Sequence, residues 1–257
     1  MIGLTPDDID ARAVASMAAV AMGASWLAGR WLGRRLREKS EGQAAASKFE
    51  DASLAIVGLL LGFTFSMALS KHDYRRVMVV AESSAIGDFY TCASLLKGPV
   101  RTKLRSLIHD YTALRVDLAK HPYDEARFER ALRQFQQMHH QMAELVSEAI
   151  DNGTPIAGSL ANSLNAVTDN HAARIAAITD SLPTAIIALL LLSAVVAALL
   201  VGREQGTTGK SDIAGTLCFI LVFSFALFVT LDLNRPDRGL ITVSQEPMQR
   251  LLSTMSE

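Results

Sequence analysis

Four stretches of this chain carry almost no charge: Ala13–Gly33, Ala52–Ser70, Pro183–Gly202 and Ile213–Leu231. Each is close to the roughly 20 residues that an α-helix needs, at 1.5 Å rise per residue, to cross about 30 Å of hydrocarbon. A backbone in lipid must satisfy its own N–H and C=O groups, so four such runs lead to membrane-spanning helices. Arg30, the one charge in the first run, lies near its end, where the side chain can reach the headgroups. A cleaved signal peptide is not expected, because Asp7, Asp8 and Asp10 precede the run and Arg34 and Arg35 follow it.

Half of the 257 residues are hydrophobic, 20% are charged, and 25 basic residues balance 26 acidic ones. With no basic block beyond Arg34–Lys39, the chain lacks the electrostatic footprint of a nucleic-acid binder. Cys92 and Cys218 are far apart in sequence and one lies in an apolar run, so no disulfide framework or metal knuckle is expected. The expected partners are the lipid bilayer, inorganic ions and further copies of the chain.

The connection after the first span carries Arg34, Arg35, Arg37, Lys39 and Lys48, and the one after the third carries Arg203 and Lys210. The positive-inside rule puts both in the cytoplasm and the long segment 71–182 outside, although Lys71, Arg75 and Arg76 on that segment's own flank argue the other way.

That polar segment reads as helical throughout. Nothing breaks the second span until Gly98-Pro99, so it is expected to continue as a rod of about 45 residues, roughly 65 Å long. A second helix is expected from the stripe Leu104, Leu107, Ile108, Tyr111, Leu114 and Leu118, closed by His121-Pro122. A third is expected from Pro122 in its first turn through Phe128, Leu132, Phe135, Met138, Met142, Leu145 and Ile150 to Asp151-Asn152-Gly153. Thr154 offers an N-cap for a fourth, running through Leu160, Leu164, Val167, His171 and Ile175 to a kink at Pro183. Leu240–Val243 reads as a short extended piece and Pro247–Met255 as a terminal surface helix. The expected fold is an all-α polytopic membrane protein: four transmembrane helices with an extramembrane antiparallel helical bundle inserted between the second and third. The expected divisions are 1–70, 71–182, 183–231 and a tail, 232–257.

At 100° per residue, Ala55, Gly58, Gly62, Ser66, Leu69, Asp73 and Arg76 fall on one face of the second helix, and Val80, Ser84 and Gly87 continue it. Small residues at that spacing allow close helix packing. The same stripe, repeated in copies of the helix around an axis, would line a path, with Phe63 or Phe65 as a hydrophobic constriction. Asp169, His171 and Arg174 form a candidate polar cluster in the bundle. Adjacent His139 and His140 lack metal-ligand spacing, and no cofactor is expected. Neither a nucleophile elbow, a phosphate loop nor a zinc-protease motif occurs, so no enzymatic activity is expected.

Several stretches resemble a family of bacterial membrane proteins described as bestrophin-like. They are Gly58 to Ser66 (GLLLGFTFS), Asp73-Tyr74-Arg75-Arg76, Glu82 to Gly87 (ESSAIG), and Arg235-Pro236 followed by Gly239 to Ser244 (GLITVS). The resemblance implies a multi-pass protein of the bacterial inner membrane and, by analogy with bestrophins, a homo-oligomeric anion channel, pentameric and lined by the second span. It also implies a cytosolic polar part, the reverse of what the basic connection suggests. The acidic clusters of a bestrophin calcium clasp have no counterpart in the tail, where only Asp232, Asp237, Glu246 and Glu257 occur. A membrane-anchored helical sensor or scaffold without transport activity is the alternative reading.

Overall fold

The computed structural model describes residues 10–36, 43–121, 124–209, 212–235 and 239–256, with side chains in the second helix from residue 51. Lys48, Lys210, Pro122 and part of the basic connection Arg34–Lys39 lie outside the described residues or side chains. The elements are α1 (Ala11–Leu36), α2 (Gln43–Ser94), α3 (Gly98–Lys120), α4 (Glu125–Asp151), α5 (Ala157–Thr179), α6 (Thr184–Thr208), α7 (Ile213–Leu233) and α8 (Glu246–Met255). No strand occurs among the described residues. Four helical runs are long and apolar enough to cross a membrane: α1, the part of α2 from Asp51, the α5–α6 run and α7. The chain is therefore an all-α protein with four membrane-crossing helices. Two compact units divide it, Met1–Ser70 with Ser181–Arg235 and Lys71–Asp180 with Pro236–Glu257.

The first unit holds α1, α6, α7 and the first part of α2. Its core includes Met22, Trp26, Val57, Leu190, Ala194, Ala197, Phe223 and Leu227. Apolar side chains also point outward, among them Val20 (72% exposed), Leu192 (62%) and Leu221 (68%), as lipid-facing positions do. In lipid there is no hydrophobic drive between helices, so close van der Waals packing must hold them. Glycines provide it. A Cβ added at Gly29 would overlap the Leu199 carbonyl oxygen, and one at Gly33 the Arg203 carbonyl oxygen. Reciprocally, Gly202 and Gly206 press against the carbonyl oxygens of Trp26 and Arg30. Two Gly-x-x-x-Gly pairs thus bring α1 and α6 into backbone contact. Polar side chains add to it: Ser25 Oγ donates to the Val195 carbonyl (2.8 Å), Trp26 Nε1 to Gln205 Oε1 (3.1 Å), and Gln205 Nε2 to Thr216 Oγ1 on α7 (2.9 Å).

The second unit packs α3, α4, α5, α8 and the later part of α2 around Ile86, Phe89, Leu104, Ile108, Tyr111, Phe135, Met142, Leu160 and Met248. Gly98, at φ 71°, turns the chain into α3, a conformation that a side chain would strain. Asp124 is the N-cap of α4, accepting from Ala126 N at 3.2 Å. The buried face of α4 is Ala131, Phe135, Met138, Met142, Val146 and Ala149, so the expected stripe is shifted at its end and Ile150 is exposed. Thr154 does not cap α5. Its N–H donates to Ala149 O and closes α4, and the N-cap of α5 is Ile156. The chain breaks between Thr179 and Thr184, around Pro183, and α6 starts afresh. Leu240–Val243 forms bends and irregular chain rather than a strand.

Arg75 is buried (3% exposed) and satisfies the C-terminal end of α5. Its Nε donates to Ala177 O (3.0 Å) and Nη2 to Asp180 O (2.9 Å), where a cation also meets the negative end of the helix dipole. Arg75 is thus a cap for α5, and its neighbour Lys71 pairs with Asp180.

The glycine contacts make a direct prediction. Gly29→Ala and Gly202→Ala force α1 and α6 apart and are expected to cost about 1–3 kcal/mol each, the usual range for overpacking. Gly23→Ala, at a position with nothing within 4 Å, is expected to leave thermal unfolding in detergent unchanged or raise its midpoint.

Candidate functional site

Helix α2 presents two contrasting faces. Val57, Thr64 and Ala68 in the first unit, and Arg75, Val79, Glu82, Ile86 and Phe89 in the second, are buried. The other face is uncovered. Ala55, Gly58, Gly62, Ser66 and Leu69 are exposed in the first unit, and Asp73, Arg76, Val80 and Ser84 in the second. A Cβ at Gly58 or Gly62 would meet nothing within 4 Å, in contrast to the four glycines between α1 and α6. Gly87 ends the exposed stripe, because Leu251 of α8 lies 3.3 Å from where its Cβ would be. Phe63 is 61% exposed and Phe65 37%. The apolar stretch of α2 is also the least covered of the four, with 17% of it buried against 28% in each of the others.

The buried face of α2 carries a charge cluster. Glu82, with no exposed surface, accepts from Arg115 Nη2 on α3 through Oε1 (2.5 Å) and from Arg174 Nη1 on α5 through Oε2 (2.6 Å). Tyr111 Oη donates to Oε1 at 3.1 Å. A carboxylate gripped by two guanidiniums is ionised, which is the only way burial of all three is tolerable. Arg174 Nη2 reaches on to Gln245 Oε1 (2.6 Å), tying in the segment before α8. Burial, the largest influence on Arg115, would lower its pKa, but the Glu82 charge, Tyr111 and the hydrogen bonds to both together raise it.

His171 Nδ1 meets Arg115 Nη2, and a guanidinium can only donate, so that imidazole is neutral with its proton on Nε2. Tyr111 stacks on His139 with ring centroids 5.2 Å apart, and His139 meets His171 edge-on at 4.7 Å. The Arg115 guanidinium lies 4.2 Å from the centroid of Phe135. Burial pushes the Tyr111 phenol above its ordinary value. Burial, reinforced by Arg115 and opposed by Glu82, pushes the His139 imidazole below its own.

The structure places both His171 and Arg174 against Glu82. Asp169 does not join them; it is exposed, and the acid at the centre is Glu82 from α2. The signal for Glu82 was its position. It lies 160° from Gly62 at 100° per residue, which puts a carboxylate on the face opposite the stripe and in line with Arg75, Val79 and Ile86. His140 is solvent-facing and pairs with Glu144 at 3.4 Å. Among the described residues, no group of three or more His, Cys, Asp or Glu is placed to hold a metal ion.

The model of the Bestrophin-like domain matches residues 15–248. The chain belongs to the bestrophin-like family. Neither the curated proteins nor the solved structures give a match. Family and helices together make this bestrophin-like chain a multi-pass membrane protein whose outward apolar side chains contact lipid. The match takes in Gly58–Ser66, the buried Arg75 and Glu82, and the Gly239–Ser244 stretch that leads to Gln245.

Two outcomes follow for the bestrophin-like cluster. Glu82→Gln leaves two buried guanidiniums without a counter-charge and is expected to destabilise the protein by about 3–5 kcal/mol, read by denaturant or thermal unfolding. The lowered pKa of His139 gives a pH dependence of definite sign. Below about pH 6.5 the unfolded chain binds a proton that the native state refuses, so stability declines as pH falls. The unfolding midpoint is expected to drop as pH falls below about 6.5, and because burial and Arg115 push the neighbouring His171 imidazole down further, to about 3, His139→Gln is expected to flatten the slope only in part.

Proposed function

We propose that the protein is a homo-oligomeric channel in which copies of α2 surround a central path that conducts anions. The observation that supports this is the unused stripe. The Gly-x-x-x-Gly pairs of α1 and α6 are consumed by contacts inside the protomer, whereas Gly58 and Gly62 face open space on the least covered of the four apolar helices. A surface of small and polar side chains has nothing to gain from lipid tails, and an assembly covers it. Ala55, Gly58, Gly62, Ser66 and Leu69 then line the path, with Asp73 and Arg76 beyond them. Family membership favours conduction over a purely structural role. Bestrophins conduct anions, and Arg76 on the stripe is compatible with that preference.

For the constriction, helical arithmetic separates the two aromatic candidates. Phe65 lies about 60° from Gly62 around the axis and Phe63 about 100°. Phe65 is the better placed to narrow the path, and Phe63 to pack against a neighbouring copy. The bacterial inner membrane is the setting the family implies, and the segment 71–182 forms the extramembrane part.

The test is chloride flux from liposomes reconstituted with the full chain. The wild-type protein is expected to release chloride, Gly62→Leu to abolish release by filling the axis, and Phe65→Ala to raise it several-fold. Ser66→Cys, in a background with Cys92 and Cys218 replaced, is expected to cross-link protomers. Silent liposomes from a cross-linkable oligomer would favour a membrane-anchored scaffold, and an assembly lined by another helix would refute the pathway.

A further inference from the structure

A pocket of about 290 Å³ opens on the second unit between the end of α2, the first half of α3 and the end of α8. Its walls are Tyr90, Arg101, Thr102, Arg105, Ser106, His109 and Met255, with no acidic residue among them. Arg101, Arg105 and His109 are spaced four apart and form a ladder along one face of α3. Such stacking of basic side chains is unfavourable by itself, and its position makes it worse. The first turns of a helix carry the positive end of the dipole, where acidic residues are favoured, yet α3 has none in its first turn and its N-cap, Lys97, makes no side-chain cap. Asp110 contacts His109 Nδ1 at 3.4 Å from outside the lining.

The central cation is held in place. Arg105 Nη2 donates to Tyr90 Oη (2.5 Å), its guanidinium carbon lies 4.8 Å from the centre of the Tyr90 ring, and its Nε is buried without a partner. Tyr90 Oη donates in turn to the Met255 carbonyl at 3.2 Å, which fixes the α8 wall. A rigid guanidinium, a second one turn away and the hydroxyls of Thr102 and Ser106 line one small pocket, beside a His109 ring whose Nδ1 faces Asp110 and whose Nε2 faces Ser256 Oγ, each at 3.4 Å.

We propose that this pocket binds a phosphate group. A tetrahedral dianion has the charge to offset two guanidiniums and enough oxygens to engage both them and the flanking hydroxyls, whereas a carboxylate has one charge and two oxygens. Inorganic phosphate and the phosphate of a lipid headgroup share that chemistry. The site is separate from the stripe of α2 and from the Glu82 cluster, and it stands whether or not the protein conducts ions.

The test uses the full chain purified in detergent, titrated calorimetrically with inorganic phosphate at constant ionic strength. A parallel set in nanodiscs compares phosphatidic acid with phosphatidylcholine, reading the lipid retained. Arg101→Gln is the decisive variant, because that side chain is exposed and its loss leaves the Arg105–Tyr90 contact in place. Arg133→Gln, on an exposed turn of α4 outside the pocket, is the control for general charge. Saturable phosphate binding weakened about tenfold or more by Arg101→Gln and unchanged by Arg133→Gln supports the site with a free oxyanion as its ligand. Selective retention of phosphatidic acid, lost in Arg101→Gln and kept in Arg133→Gln, supports it with a headgroup. Binding that is absent in both settings, or that ignores Arg101→Gln, overturns the proposal.

Discussion

A carboxylate sealed from water holds the polar unit in register. Glu82 of α2 takes a guanidinium from α3, a guanidinium from α5 and a phenol from α3, and Arg174 passes the connection on to Gln245 before α8. Such a cluster adds little net stability over an apolar core of equal volume, because desolvating three charges costs about what their attraction returns. Its effect is on specificity. The apolar stripes of α2, α3 and α5 could pack nearly as well after sliding one turn, but only one register satisfies Glu82, Arg115, Arg174 and Tyr111 together.

The membrane unit meets the same problem largely by close packing. α1 and α6 are set by shape: Gly29 and Gly33 against Leu199 and Arg203, and Gly202 and Gly206 against Trp26 and Arg30. With helices this close, the backbone itself is the complementary surface, and the line from Trp26 through Gln205 to Thr216 fixes the rotation of α7 as well. One unit is thus keyed by charge and the other by the absence of side chains, each in the medium where that device is effective.

Much of this was readable in the sequence and some was not, for physical reasons. The four spans were plain because lipid imposes length and hydropathy on every residue of a crossing helix. The bundle helices were plain because each has one apolar stripe, though the α4 stripe ended on Ala149 rather than Ile150, since alanine and isoleucine one position apart compete for the same edge of the face. Thr154 had the chemistry of an N-cap, but its N–H closes α4 on Ala149 O and α5 begins further on, with Ile156 at the cap position. The glycine pairs on α1 and α6 had the same spacing as those on α2, and spacing alone does not tell which pair is used inside a protomer. Asp169 drew attention as the acid nearest His171 in sequence. The real partner, Glu82, is 92 residues from Arg174, a pairing that only the packed fold creates.

The two faces of α2 are linked by geometry within the helix. On a rod of 3.6 residues per turn, Glu82 and Phe89 stand about 160–180° from Gly62, and Arg75 and Ile86 about 120–140°. Within the second unit the buried charge cluster therefore fixes how α2 is rotated about its own axis: turning Asp73, Arg76, Val80 and Ser84 inward would pull a carboxylate out of its two guanidiniums. Hydrophobic packing alone is a weak rotational constraint for a helix that is mostly exposed to lipid, because lipid tails accept any apolar face. Arg75, on the same buried side of α2, also closes the end of α5. A stripe held at a constant angle is a requirement for any assembly that uses it, because copies related by symmetry must all present the same residues to their neighbours.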